Sequence, residues 1–237
     1  MVRIGILACD AVREPLLGRH GDYPDMFERL LAPRLPAARF VTYRVHEDEY
    51  PAAVTDCDAY IISGSRSSVY EAEPWIVKLA AYVRELYAAE RRIVGICFGH
   101  QMLAHALGGR TERAHQGWGV GRHRNEVLAD ADWLQPARAD FTLYFSHQDQ
   151  VTMLPPEGRL IARNGHCPHA VIEVGGRALG IQGHPEFTAD FARELLLSKV
   201  VQLPAPVLEA ALPSYEQTVD ADVVAEWMAA FLCAVER

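Results

Sequence analysis

Short apolar runs and helical stripes alternate along the first hundred residues. Residues 2–9 (VRIGILAC), 39–45 (RFVTYRV), 58–64 (DAYIISG) and 91–97 (RRIVGIC) are β-rich and bounded by turn residues, the pattern of strands. Between them, 24–35 (PDMFERLLAPRL) sets Met26, Phe27, Leu30 and Leu31 on one face. Residues 74–90 (PWIVKLAAYVRELYAAE) open with a proline suited to a first turn and repeat apolar side chains at helical spacing. Strand, helix, strand, strand, helix, strand predicts crossover units and a parallel sheet, hence an α/β body.

After Gly109 the pattern changes. Strand-like segments at 109–114, 119–127, 141–151, 159–164, 169–174 and 177–183 follow in quick succession, so some strands are expected to be antiparallel and peripheral. A helix is expected at 188–200, a proline-rich connector at 203–220, and an amphipathic helix at 221–236 that packs on the body. The expected organisation is a main domain over 1–200 and a helical extension over 201–237 docked on it.

Composition narrows the class. Half of the residues are hydrophobic and 23% are charged, which argues against disorder, and no apolar run approaches the roughly 18 residues of a membrane span. A formal net charge of −8 disfavours nucleic acid as the main partner, because phosphate binding needs clustered Lys and Arg. Small molecules or proteins are the expected partners. Five cysteines, odd in number and without a C-x-x-C pair, indicate neither a disulfide framework nor a zinc site and fit a reducing cytoplasm. His166 and His169 flank Cys167 in what reads as a loop, and no metal is expected there.

The chemistry concentrates in two segments. Gly95-Ile96-Cys97-Phe98-Gly99 has the form G-x-nucleophile-x-G, where a strand ends, turns sharply and enters a helix. The positive end of that helix favours a thiolate, and the N–H after the nucleophile can donate to an oxyanion. Met102, Leu103, Ala106 and Leu107 predict the inward face of the helix, with His100 and His105 on its surface. The second segment, GIQGHPEF, carries His184 and Glu186. Side chains two apart in an extended segment point the same way, so the carboxylate can hold the imidazole. Cysteine, histidine and acid in that chain order disfavour an α/β-hydrolase, in which the acid precedes the histidine.

GICFGHQ followed by GHPE resembles the class I glutamine amidotransferases, especially stand-alone proteins similar to the glutaminase part of GMP synthase, over most of residues 1–200. The resemblance implies a flavodoxin-like core in which Cys97 forms a γ-glutamyl thioester, His184 shuttles protons and Glu186 orients His184. It also implies an oxyanion loop at Gly64-Ser65-Arg66, where a serine stands at a position often glycine, with the N–H groups of Ser65 and Phe98 as donors. Gly64, Gln101, Ser146 and His147 become substrate-binding candidates, whereas Asp149 caps a turn. No cofactor is implied. The expected reaction is cleavage of the glutamine γ-amide to glutamate and ammonia. Because the chain has no P-loop, the ammonia would pass to a separate synthetase subunit or simply be released. Segments such as ILACD, YRVHEDEYP and ISGSRSSVYEAEPWIVKL also resemble γ-glutamyl peptidases, which would use the same residues on a different leaving amine. A non-catalytic regulatory or binding subunit is the third possibility, since Ser65 departs from the usual glycine.

Overall fold

The computed structural model describes residues 2–199, 201 and 203–234; Val200, Val235 and Glu236, at the ends of two expected helices, lie outside the described residues. The chain begins with β1 (Arg3–Ala8), the short helix α1 (Leu16–His20) and α2 (Tyr23–Leu31). Asp22 and Asp25 form a reciprocal capping box that starts α2. Then come β2 (Arg39–Arg44), β3 (Ala59–Ile62), α3 (Pro74–Ala88), β4 (Arg92–Ile96) and α4 (Phe98–Ala106). The second half contributes β5 (Arg110–Arg113), β6 (Gly119–Val127), β7 (Asp140–His147), β8 (Asp149–Met153), β9 (Gly158–Arg163), β10 (Val171–Val174) and β11 (Ala178–Ile181). It closes with α5 (Ala189–Ser198), α6 (Ala205–Ala211) and α7 (Ala221–Cys233).

One nine-stranded sheet runs β2-β1-β3-β4-β11-β10-β9-β6-β7. Its first five strands pair in parallel and the remainder antiparallel, so the sheet is the predicted mixed one, with the antiparallel strands at one side. The parallel order 2-1-3-4-11 is flavodoxin-like. Helices cover both faces. Phe27 and Leu31 of α2 and Trp227, Met228 and Phe231 of α7 pack on Ile4, Ile61, Val94 and Ile96. On the other face, Leu79, Val83 and Leu86 of α3 and Met102 and Leu103 of α4 pack on Leu7, Tyr60, Ile62 and Ile93. Strands β3 and β11 are buried along their whole length, which is why they read as continuous apolar runs.

Two segments depart from the expected pattern. The stretch expected as one strand at 141–151 breaks at Gln148: β7 stays at the edge of the main sheet, and β8 leaves it to pair with β5. The connector is largely helical, because Pro204 and Pro206 fall at the cap and first turn of α6, where the missing N–H costs nothing. It is also bonded to the sheet. Tyr215 Oη accepts from the Gly121 N–H at 3.1 Å, Ser214 Oγ accepts from the Arg122 N–H at 3.0 Å, and Asp220 Oδ2 accepts from the Thr142 hydroxyl at 2.7 Å. Among the described residues no helix is long and apolar enough to cross a membrane.

Candidate active site

In an open parallel sheet, ligands bind beyond the carboxyl ends of the strands, beside the point where strand order reverses. The segments following β1, β3, β4 and β11 meet there, carrying Asp10, Gly64, Cys97 and His184 in turn. Cys97 is the cap of α4 and has φ 53° and ψ −101°, one of few non-glycine residues at positive φ. Its N–H donates to Ile181 O at 2.9 Å and its carbonyl accepts from Gln101 N–H at 3.0 Å, so β11 on one side and α4 on the other hold the turn. The strain sits on the cysteine. Neither Gly95 nor Gly99 has positive φ; they are needed for close approach. A Cβ on Gly95 would lie 2.4 Å from Gly99 O, and one on Gly99 would lie 2.2 Å from Ile62 O.

His184 is fixed on three sides. Its N–H donates to Tyr144 O at 2.8 Å, which pins the segment to β7. Nδ1 hydrogen-bonds Glu186 Oε1 at 2.8 Å, and the Phe187 ring stacks on the imidazole with centroids 3.9 Å apart and planes 8° from parallel. Cys97 and His184 line the same cavity, with the sulfur near enough to act on the charge of the ring. Burial pulls the His184 pKa down, but the Glu186 carboxylate and the Cys97 sulfur more than offset it, and the value rises to about 9. Glu186 Oε2 has no protein partner, so the carboxylate is committed to the histidine alone. Gly64 leaves room for this assembly: a Cβ there would be 3.3 Å from His184 Cε1.

The loop after β3 is braced from β1. Ser63 Oγ accepts from the Cys9 N–H at 2.9 Å and donates to Gly64 O at 3.0 Å. Because the peptide is planar and trans, turning the Gly64 carbonyl toward that hydroxyl turns the Ser65 N–H away from it. Arg66 Nε and the Arg66 N–H both donate to Asp10 Oδ2, at 2.6 Å and 3.1 Å. Ser65 does not need left-handed backbone, so a serine fits where a glycine is common.

These residues open onto a cavity of about 640 Å³. Gly64, Ser65, Cys97, Ser146 and His184 line it, as do residues of α1 and α5. Phe98, the first residue of α4, is buried and packs against Trp75 with ring centroids 5.6 Å apart. Gln101 and His147 lie behind the wall. Gln101 Nε2 donates to Asp149 O at 2.7 Å and Gln182 Oε1 at 3.0 Å, while His147 contacts the Gln150 amide nitrogen at 3.2 Å and packs beside His166. Asp149 Oδ1 accepts from the Tyr70 hydroxyl at 3.1 Å.

One surface expectation is overturned. His105 is exposed, but His100 is fully buried, because α4 is enclosed by the sheet on one side and by β5 and β8 on the other. A Cβ on Gly180 would sit 2.4 Å from His100 Nδ1, and burial lowers the His100 pKa to about 3. Three features escaped the sequence: the stacked Phe187, the Asp10–Arg66 brace, and Lys199, whose Nζ reaches Ser146 Oγ at 2.9 Å. Phe187 was the most accessible of these, as the apolar residue directly after GHPE.

Residues 22–202 match the family model described as glutamine amidotransferase class-I. The chain is 31% identical over 170 residues to gamma-glutamyl peptidase 5 of Arabidopsis thaliana, an alignment spanning 68% of this chain and 66% of that protein. It is 34% identical over 138 residues to the glutamine-hydrolyzing GMP synthase of Enterococcus faecalis, covering 57% of this chain but only 25% of the synthase. The crystal structure of a glutamine amidotransferase from Thermotoga maritima superimposes with a TM-score of 0.78 at 18% identity, over 98% of this chain and 99% of that one, which shows a shared fold. The chain belongs to the class I glutamine amidotransferase family.

Proposed function

We propose that the protein hydrolyses γ-glutamyl amide bonds, of which the glutamine side-chain amide is the simplest, through a thioester on Cys97. The observation that carries this reading is Cys97, at a strained strand-to-helix turn, sharing one cavity with an imidazole whose Nδ1 edge Glu186 holds at 2.8 Å. With Nδ1 committed to Glu186, Nε2 is the nitrogen available to the sulfur. The raised pKa keeps the ring protonated beside a thiolate, ready to act as an acid.

Cys97 Sγ attacks the amide carbon, and the carbonyl oxygen becomes an oxyanion. The orientation of the Gly64 carbonyl supports the Ser65 N–H as one donor to it, and the first turn of α4 supports the Phe98 N–H as the other. Nε2 of His184 gives its proton to the leaving nitrogen, the carbon–nitrogen bond breaks, and the γ-glutamyl thioester remains. A water then loses a proton to the now neutral imidazole and attacks the thioester, releasing glutamate and regenerating the thiolate–imidazolium pair. If the leaving amine is ammonia, a separate synthetase subunit is its natural acceptor.

A second reading, hydrolysis of γ-glutamyl peptides, is favoured by one observation. The cavity of about 640 Å³ extends well beyond what glutamine would fill, into the space between α1 and α5. The γ-glutamyl peptidase relatives carry that activity in their names. Steady-state kinetics with glutamine and with a γ-glutamyl dipeptide decide between the two. A higher kcat/KM for glutamine supports the glutaminase reading, and a higher one for the dipeptide supports the peptidase. Cys97→Ala should lower either rate by at least about 1,000-fold, and retention of full activity in that variant would reject both.

A further inference from the structure

Lys199 follows the last turn of α5, and its side chain lines the cavity that contains Cys97. Nζ donates to Ser146 Oγ at 2.9 Å and lies 5.5 Å from the centre of the Trp118 ring. Among the described residues no carboxylate is within ion-pair distance of it, and Asp10, its nearest acidic influence besides Cys97, is already bound by Arg66. Burial lowers the pKa of this ammonium against the opposing pull of Cys97 and Asp10, and the Arg66 charge adds a smaller lowering. Holding a half-buried cation with no carboxylate paired to it is costly, and a bound anion reduces that cost.

The cavity as a whole repeats the imbalance. Arg66 is paired with Asp10 and Arg19 with Glu194, leaving Arg13, Arg193 and Lys199 against Glu14 on the walls. The chain carries a formal net charge of −8, so this local excess of cations runs against the charge of the molecule.

We infer that Lys199, steadied by Ser146, is a specificity-determining residue that binds a carboxylate of the substrate. The identity of that substrate rests on the γ-glutamyl reading above. The carboxylate is either the α-carboxylate of the glutamyl group or one carried by the leaving amine, and the same chemistry serves both.

The test compares wild type with Lys199→Met and Lys199→Arg on glutamine, γ-glutamylglycine and γ-glutamylethylamide, whose leaving amine is neutral. Loss of a charge-assisted bond should raise KM about tenfold or more in the methionine variant, with kcat changed far less and partial recovery in the arginine variant. A similar rise for all three compounds assigns Lys199 to the α-carboxylate. A rise confined to γ-glutamylglycine assigns it to the leaving amine. Unchanged KM values for all three overturn the inference. Should wild type turn over none of these compounds, the γ-glutamyl reading fails, and Lys199 is then judged by alkylation of Cys97 followed by peptide mapping. The rate with iodoacetate relative to iodoacetamide should fall about tenfold in Lys199→Met; an unchanged ratio overturns the inference. Thiolate reactivity cancels in that ratio, so it reads only the cation beside the sulfur.

Discussion

At the scale of single residues, Cys97 and His184 divide the work between strain and charge. A non-glycine residue at φ 53° costs about 1–3 kcal/mol, and β11 and α4 hold it there through backbone hydrogen bonds at both ends of the turn. His184 has its pKa raised from 6.5 to about 9, so it is protonated at neutral pH and loses its proton as pH rises through that value. The pair it makes with Glu186 therefore adds stability in full below about pH 6.5, fading between there and about pH 9. It follows that kcat/KM should fall on the alkaline side with an apparent pKa near 9. Glu186→Gln should move that limb to lower pH and reduce kcat about tenfold to 100-fold, as pH–rate profiles will show. A limb that stays in place would deny Glu186 its part in holding the charge. Cys97, His184 and Glu186 were legible in the sequence because each sits in a short local pattern. Lys199 was not, because only the return of α5 over the cavity brings it to Ser146, a residue far away in the chain.

At the scale of elements, the site depends on how closely α4 approaches β3 and β4. Backbone carbonyls stand where side chains on Gly95 and Gly99 would go, and backbone cannot swing aside as a side chain can. Gly99→Ala is expected to destabilise the fold by about 3 kcal/mol or more, measured as a lowered denaturant midpoint. Gly165→Ala, where nothing lies within 4 Å of the added methyl group, should stay within about 1 kcal/mol of wild type. If the two variants were equally stable, close packing would not be what these glycines provide. The parallel strands could be read from sequence because burial on both faces leaves a continuous apolar run. The 203–220 segment could not, since prolines that mark a helix start look the same in sequence as prolines that forbid a helix. Nor does local pattern say that Gln148 divides two strands belonging to different sheets.

At the scale of the molecule, buried neutral histidines set the acid limit of stability. His100 has its pKa lowered to about 3 by burial, and burial with neighbouring histidines lowers that of His147 well below the ordinary value. The unfolded chain takes up these protons near pH 6.5 and the folded chain does not, so stability should begin to fall below about pH 6.5. Each histidine contributes a slope of up to about 1.4 kcal/mol per pH unit. His147→Gln should flatten that slope in denaturant titrations between pH 6.5 and 5, whatever its effect at pH 7; an unchanged slope would remove His147 from the explanation. The same enclosure that buries His100 inside α4 keeps the helix fixed beneath Cys97, so acid sensitivity and a rigid nucleophile have one structural origin.

In the proposed reaction Cys97 carries the γ-glutamyl group between two half-reactions. Acid quenching of the enzyme during turnover of glutamine or a γ-glutamyl dipeptide, followed by peptide mapping by mass spectrometry, tests it directly. The predicted result is a glutamyl thioester on the peptide containing Cys97, absent from Cys97→Ala. Continued hydrolysis with the acyl group on another residue, or by Cys97→Ala at the wild-type rate, would contradict it.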